Sequence, residues 1–179
     1  MSAVSNIKIE TDRLKLRNMT LQDVSQDYVD WLNDPEISKY LSCANTVQTM
    51  ESCLAYVQSY VGQNDKALIS IFSKKNGLHI GNVTLSFDWN NKGGTVGISL
   101  GRKEYMGIGL ASEALNNIVN YCFRELKLHR IQAWVSEKNL NSIKLFLNCG
   151  FKVEGYLRDK SLINREFQNS YILGILENE

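Results

Sequence analysis

The chain has 179 residues, 20 Lys and Arg against 19 Asp and Glu, and a formal net charge of +1. That length suits one well-filled core, so a single domain spanning residues 1–179 is expected, and the even charge balance argues against nucleic acid as a partner. No apolar run approaches the ~18 residues of a membrane span and the opening residues lack the apolar core of a signal peptide, so no membrane partner and a cytoplasmic location are expected. Cys43, Cys53, Cys122 and Cys149 show no Cys-x-x-Cys spacing; buried reduced thiols are the expectation. His79 and His129 stand apart from any cysteine pair, so no metal site is expected.

In chain order, Ile7 to Arg17 reads as a strand pair or one bent strand. Thr20 is placed to cap a helix carrying Leu21, Val24, Tyr28 and Trp31 at helical spacing, which Asn33-Asp34-Pro35 ends. A second helix shows Met50, Leu54, Val57 and Val61 on one face and stops at Gly62. Strand-like runs at Ala67–Ser73, His79–Asp88 and Thr95–Leu100 are separated by turn residues at Asn76-Gly77 and Asn90–Gly94, an antiparallel meander. A long amphipathic helix follows, with Leu110, Ala111, Ala114, Leu115, Ile118, Val119 and Cys122 inward. Then come a strand at Arg130–Val135, a helix from about Asn141 to Asn148 ended by Gly150, and strands near Phe151–Arg158 and Phe167–Leu176.

The most informative stretch joins the third meander strand to the long helix: Met106-Gly107-Ile108-Gly109-Leu110-Ala111-Ser112. A turn poor in side chains at a helix N-terminus lets backbone N–H groups gather around an anion that the helix dipole also favours. A phosphorylated ligand is therefore expected. No Gly-Lys-Ser/Thr follows, which excludes a Walker-type loop. Ser112 holds the third-glycine position of a dinucleotide fingerprint, and Arg130–Val135 contains no acid to meet a ribose, so that motif does not fit either.

Four separated motifs in this order resemble the GNAT superfamily of acetyl-CoA-dependent N-acetyltransferases. The branch is the one containing ribosomal-protein N-terminal, spermidine and amino-sugar acetyltransferases. Glu10-Thr11-Asp12-Arg13-Leu14-Lys15-Leu16-Arg17 is similar to that branch's first strand, and Trp31-Leu32-Asn33-Asp34-Pro35-Glu36 to the end of its first helix. Gly109 and Ala111 stand in the fixed places of the superfamily's pyrophosphate loop. Val135-Ser136-Glu137-Lys138-Asn139 and Gly150-Phe151-Lys152-Val153-Glu154-Gly155 resemble the branch's last motif. The resemblance runs from Ile7 to about Leu176 and implies an α+β fold: a mostly antiparallel twisted sheet of about seven strands with two splayed parallel neighbours, and about four helices.

The resemblance also implies a site. Acetyl-CoA would enter between the splayed strands and pair with backbone around Ile98, Leu100 and Arg102. Its pyrophosphate would lie on Met106, Gly107, Ile108, Gly109, Leu110, Ala111 and Ser112. Asn139 reads equally as a helix cap from sequence alone; the resemblance favours a coenzyme contact. The loop's first position is commonly Gln or Arg and is Met106 here, whose main chain is expected to donate. Phe146 occupies the position where many members carry a Tyr that protonates the leaving thiolate; Tyr105, water or an unassisted thiolate are the alternatives.

Direct attack of a neutral amine needs an oriented thioester, an oxyanion donor and a route for the proton. The Leu100 N–H is the expected donor. Asp88 is the chosen base, ahead of His79, His129, Glu104 and Glu113, because it closes a strand towards the expected cleft. Freeing a Lys amine at pH 7 costs about 4.6 kcal/mol and an α-amine about 1.1 kcal/mol. A site without an evident acid and base pair therefore suits weakly basic amines. Lys152, Arg158, Lys160 and Arg165 against Glu154, Asp159 and Glu166 make a slightly basic wall. The leading acceptor is a nucleotide-linked amino sugar, with a protein N-terminus or a polyamine as alternatives. Trp31, Asn33, Tyr40 and Tyr156 are the candidates to line its pocket. A homodimer is left open, as is a module that binds acyl-CoA without turnover.

Overall fold

The computed structural model describes residues 3–163 and 166–179. The opening segment folds as two short strands, β1 (Lys8–Glu10) and β2 (Leu14–Asn18), because Thr11 turns the chain: its N–H donates to Leu14 O and its Oγ1 accepts from Leu14 N. Among the described residues the sheet therefore has eight strands, in the order β1-β2-β3-β4-β5-β6-β8-β7.

Thr20 starts only a 3-10 turn, Leu21–Asp23. Asp23 is gripped by both Arg17 guanidinium nitrogens, at 2.7 and 2.6 Å, and the chain restarts at Ser25, whose Oγ caps α1 (Gln26–Asn33). Asp34 then caps α2 (Pro35–Ser38), with Pro35 at a position where its missing N–H costs nothing. α3 (Met50–Gln58) buries Cys53 and Val57. Met50 and Val61 are instead 37% and 49% exposed, because the helix stops at Gln58 and Val61 lies in the following turn.

β3 (Lys66–Ser73), β4 (His79–Asp88) and β5 (Gly93–Leu100) form the expected meander. β3 is buried on both faces: Ile69 and Ile71 join the main core, and Leu68 joins a second cluster with Tyr28, Val29, Trp31, Cys53 and Val57. α4 (Leu110–Arg124) sends Leu110, Ala114, Leu115, Ile118, Val119, Cys122 and Phe123 into the main core; Ala111 is half-buried. Cys53, Cys122 and Cys149 are buried, whereas Cys43 is only half-buried.

The remaining elements are β6 (Arg130–Ser136), α5 (Leu140–Asn148), β7 (Lys152–Ile163) and β8 (Glu166–Leu176). Arg165, part of the expected basic wall, lies outside the described residues. β5 and β6 run parallel but share only three rungs, Gly93, Gly94 and Thr95 with Arg130, Ile131 and Gln132. Beyond Thr95, β5 stays with β4 as far as Leu100, and β6 stays with β8 as far as Ser136. Each strand follows its other neighbour, and a V opens between them.

Candidate active site

A cleft of about 1160 Å³ fills the V. One wall is the free edge of β5. Gly101 N donates to Ile80 O at 2.8 Å, towards β4. Peptide directions alternate along a strand, so the N–H and C=O of Leu100 and Ile98 face away from β4, into the opening. These are main-chain groups in need of partners. The bend under this edge depends on Gly101: a Cβ there would lie 2.0 Å from the Trp31 ring.

The glycine turn closes one end of the cleft. Gly107 and Gly109 have φ of 75° and 83°, a region in which a side chain is strained. Gly109 is the N-cap of α4 and offers no side-chain cap, so the first amides of the helix, from Leu110, are left without an intrahelical acceptor. Gly107, Gly109, Leu110, Ala111 and Ser112 line the cleft. Met106 lines it too, but its N–H donates to Lys103 O at 3.0 Å. The expected main-chain donor at that position is therefore already committed. Ile108 lies outside the cleft, and its carbonyl accepts from Arg13 Nη1 at 3.0 Å.

Arg13 belongs to a brace behind the turn. Its Nε reaches Glu113 at 2.6 Å, its backbone N–H reaches the same carboxylate at 3.0 Å, and Thr11 Oγ1 donates to it at 2.5 Å. Burial pushes the Glu113 carboxyl up, but the hydrogen bonds from Thr11 and Arg13 outweigh it and hold the group below its ordinary value. Glu113 is thus a structural anion tying the β1–β2 turn to α4.

Ile98, Leu100, Asn139 and Phe146 all line the cleft. Asn139 Oδ1 caps α5 by accepting from Ser142 N at 3.1 Å. Phe146 is 2% exposed and packs edge-to-face on Phe151. Arg102 does not line the cleft. Its guanidinium turns beneath α1, bonding His79 O and Asp27 and lying over the Trp31 ring. Tyr105 is also elsewhere; its hydroxyl accepts from Asn76 Nδ2.

Of the four acceptor candidates only Tyr40 lines the cleft, with its hydroxyl on Lys138 O at 2.9 Å. Trp31 is spent on the β5 bend. Asn33 ties the chain at Gln48, accepting from its N–H at 2.9 Å and donating to its carbonyl at 2.8 Å. Tyr156 donates to Glu137 on the outer hairpin. Asp88 does not line the cleft either. It pairs with Gly93 at the closed end of the V and caps the β4–β5 turn, accepting from Asn91 N and Nδ2 at 3.1 and 2.7 Å. Those Asn91 bonds hold its carboxyl low, which makes it a weak base in the wrong place. His129 sits outside too, exposed and 4.0 Å from Glu177.

Sequence reasoning missed a tyrosine-rich wall of the cleft. Tyr28, Tyr56 and Tyr60 line it with Tyr40, and Glu36 is the one carboxylate among the described lining residues. Tyr28 reads as core from its helical spacing and is indeed 2% exposed; only the tertiary fold brings its edge to the cleft. Burial pushes the Tyr28 and Tyr56 hydroxyls far above the usual tyrosine range, so both remain protonated donors. Glu36 is paired with Lys103 Nζ at 2.5 Å. No group of three or more His, Cys, Asp or Glu is arranged to hold a metal among the described residues.

A sheet split between parallel neighbours, with an amide-lined glycine turn at the mouth, defines a class of protein suited to a long phosphorylated ligand. The family model described as an acetyltransferase (GNAT) domain matches residues 13–152, and the chain belongs to that family. An uncharacterized N-acetyltransferase, p20, of Bacillus licheniformis is 31% identical over 172 residues, 94% of this chain and 96% of that protein. A spermidine N(1)-acetyltransferase of Vibrio cholerae is 33% identical over 76 residues, 42% of this chain and 44% of that one. Among solved structures, a GNAT-family acetyltransferase from Bacillus anthracis superposes with TM-score 0.85 at 24% identity, covering 97% of this chain and all (100%) of the other. The Vibrio cholerae spermidine N-acetyltransferase solved with CoA and spermine gives 0.83 at 22%, covering 94% and 98%. These structures establish the fold; the family establishes an acetyl-CoA-dependent N-acetyltransferase.

Proposed function

We propose that this enzyme acetylates a weakly basic primary amine on a small hydroxylated scaffold, an amino sugar in its nucleotide-linked form being the leading acceptor. The observation that carries this reading is the tyrosine-rich wall of the cleft: tyrosine rings and hydroxyls and, among the described residues, a single carboxylate, Glu36, paired with Lys103. A polyamine carries several positive charges, and desolvating them calls for several unpaired acids. Tyrosine rings and hydroxyls suit the apolar faces and hydroxyl groups of a sugar. A protein N-terminus, the second reading, shares the low amine pKa.

Acetyl-CoA would lie along the open edge of β5, with its pyrophosphate over the amides of Gly107 and of Gly109 to Ser112. The positive-φ glycines fit this, as no atom lies within 4 Å of a Cβ built on Gly107. The Leu100 N–H supports the charge that develops on the thioester oxygen. The amine attacks directly and its proton leaves to water. Phe146 has no proton to give, Tyr40 donates its proton to Lys138 O and Tyr105 lies outside the cleft, so the coenzyme leaves as a thiolate, a good leaving group.

The test is thiol release from acetyl-CoA with a nucleotide-linked amino sugar, an alanine-terminated peptide, spermidine and a lysine peptide. The amino sugar should give the highest kcat/KM. A preference for spermidine would overturn the acceptor reading and leave the acetyltransferase assignment standing.

A further inference from the structure

We infer that Asn82, locked by His79, is the group that recognises an oxygen next to the acceptor's reacting amine. Asn82 sits on β4 opposite Ser99 of β5, one strand from the open edge, and both residues line the cleft. It is 9% exposed. Its orientation follows from hydrogen-bond chemistry. His79 Nε2 lies 3.0 Å from Gly81 O. A carbonyl only accepts, so Nε2 carries the proton. The Asn82 atom 2.8 Å from the same nitrogen is then the amide oxygen, and the amide NH2 points elsewhere. Among the described residues, the buried side-chain polar atoms without a partner are Ser70 Oγ and His79 Nδ1. Among the described residues no protein group accepts from Asn82 Nδ2, and it is not one of these sealed atoms, which fits its opening onto the cleft that Asn82 lines.

His79 is itself held on several sides. Its ring stacks on Tyr28 at 5.8 Å, meets Trp31 at 5.0 Å and lies against Phe72 at 5.1 Å. A buried imidazole with one bare nitrogen is expensive to keep. Its Nε2–H is shared between Gly81 O and the Asn82 amide oxygen, and the second contact fixes the amide, which makes His79 a positioning residue. An oriented, unpaired NH2 in a largely buried wall favours a ligand acceptor atom at that point, since a ligand that lacks one leaves the donor unsatisfied. A vicinal amino alcohol or an α-amino carbonyl supplies that atom; spermidine and simple alkylamines do not. This inference rests on the proposed acceptor reading and narrows it from weak basicity to a defined oxygen.

The experiment compares glucosamine, trans-2-aminocyclohexanol and alaninamide with cyclohexylamine and spermidine, at equal free-amine concentration. The proteins are wild type, Asn82→Leu, Asn82→Asp, His79→Phe and His79→Gln, each checked by thermal melting and by calorimetry with CoA. Wild type should favour the oxygen-bearing amines. Asn82→Leu and Asn82→Asp should each cut kcat/KM on those amines about tenfold or more and erase the preference, with CoA affinity within about twofold. His79→Phe should raise the KM of the same amines, and His79→Gln, which restores a donor, should recover part of the loss. If Asn82→Leu fails to fold, Asn82→Asp decides. An unchanged preference in a folded Asn82 variant overturns this inference alone. A wild-type preference for spermidine, or no turnover of any oxygen-bearing amine, overturns both it and the acceptor reading.

Discussion

Gly109 holds φ at 83° and caps α4 with nothing but backbone. Valine there would strain the turn by about 1–3 kcal/mol and place two methyl groups near Arg13 Nη2. Gly109→Val should therefore weaken CoA binding by roughly tenfold to a hundredfold in a folded protein, read by calorimetry; unchanged affinity would refute the phosphate placement. Phe146 is a packing residue at the cleft wall. Phe146→Tyr should keep the melting temperature and leave kcat unchanged or raise it. A large fall in kcat at constant CoA affinity would show that another acid serves the thiolate. Asp88 caps a turn, and losing a true general base costs about 10²-fold or more. Asp88→Asn should instead leave kcat/KM within about twofold in a steady-state assay.

At the scale of elements, the glycine turn is stiffened from outside its own helix. The β1–β2 turn supplies Thr11 and Arg13, and α4 supplies Glu113. A carboxyl held below its unfolded value of about 4.3 stabilises the fold above that pH, and the contribution is lost as pH falls through the depressed folded value. Glu113→Gln should thus be less stable than wild type at pH 7, with the gap closing towards pH 3 in denaturant titrations. A gap independent of pH would mean that the carboxylate's charge is irrelevant to the brace.

For the whole molecule, the site is assembled where two strands part. The described lining of the cleft contains one carboxylate and no histidine, so the proposed mechanism has the acceptor bind largely as the free amine. kcat/KM should climb with pH and level off near the acceptor's own pKa, moving with that pKa from one amine to another. A plateau fixed at one pH for all amines would reveal an enzymic base.

The glycine turn, the meander, the long helix and the four-motif order are all local in sequence, and local patterns specify them: turn residues at fixed offsets, apolar periods of two or 3.6, a helix starting at a glycine pair. The glycine-turn lining of the cleft was legible for that reason, since it comes from one continuous segment. Arg102 and Ile108 were exceptions because their outward side depends on what packs behind them. The tyrosine-rich wall of the cleft was not legible. Tyr28, Glu36, Tyr40, Tyr56 and Asn82 come from five elements or connections, and no spacing links them. Trp31 and Asn33 carry the same aromatic and amide chemistry as the true lining, yet one is consumed under Gly101 and the other on Gln48. Asp88 reads as facing the cleft only until the register puts it beside Gly93, at the end where the strands are still joined. The sequence by itself determined the class of enzyme and the glycine turn at the mouth of its cleft. The tertiary structure decided which side chains reach the cleft, because burial and hydrogen-bond partners are properties of neighbours far away along the chain.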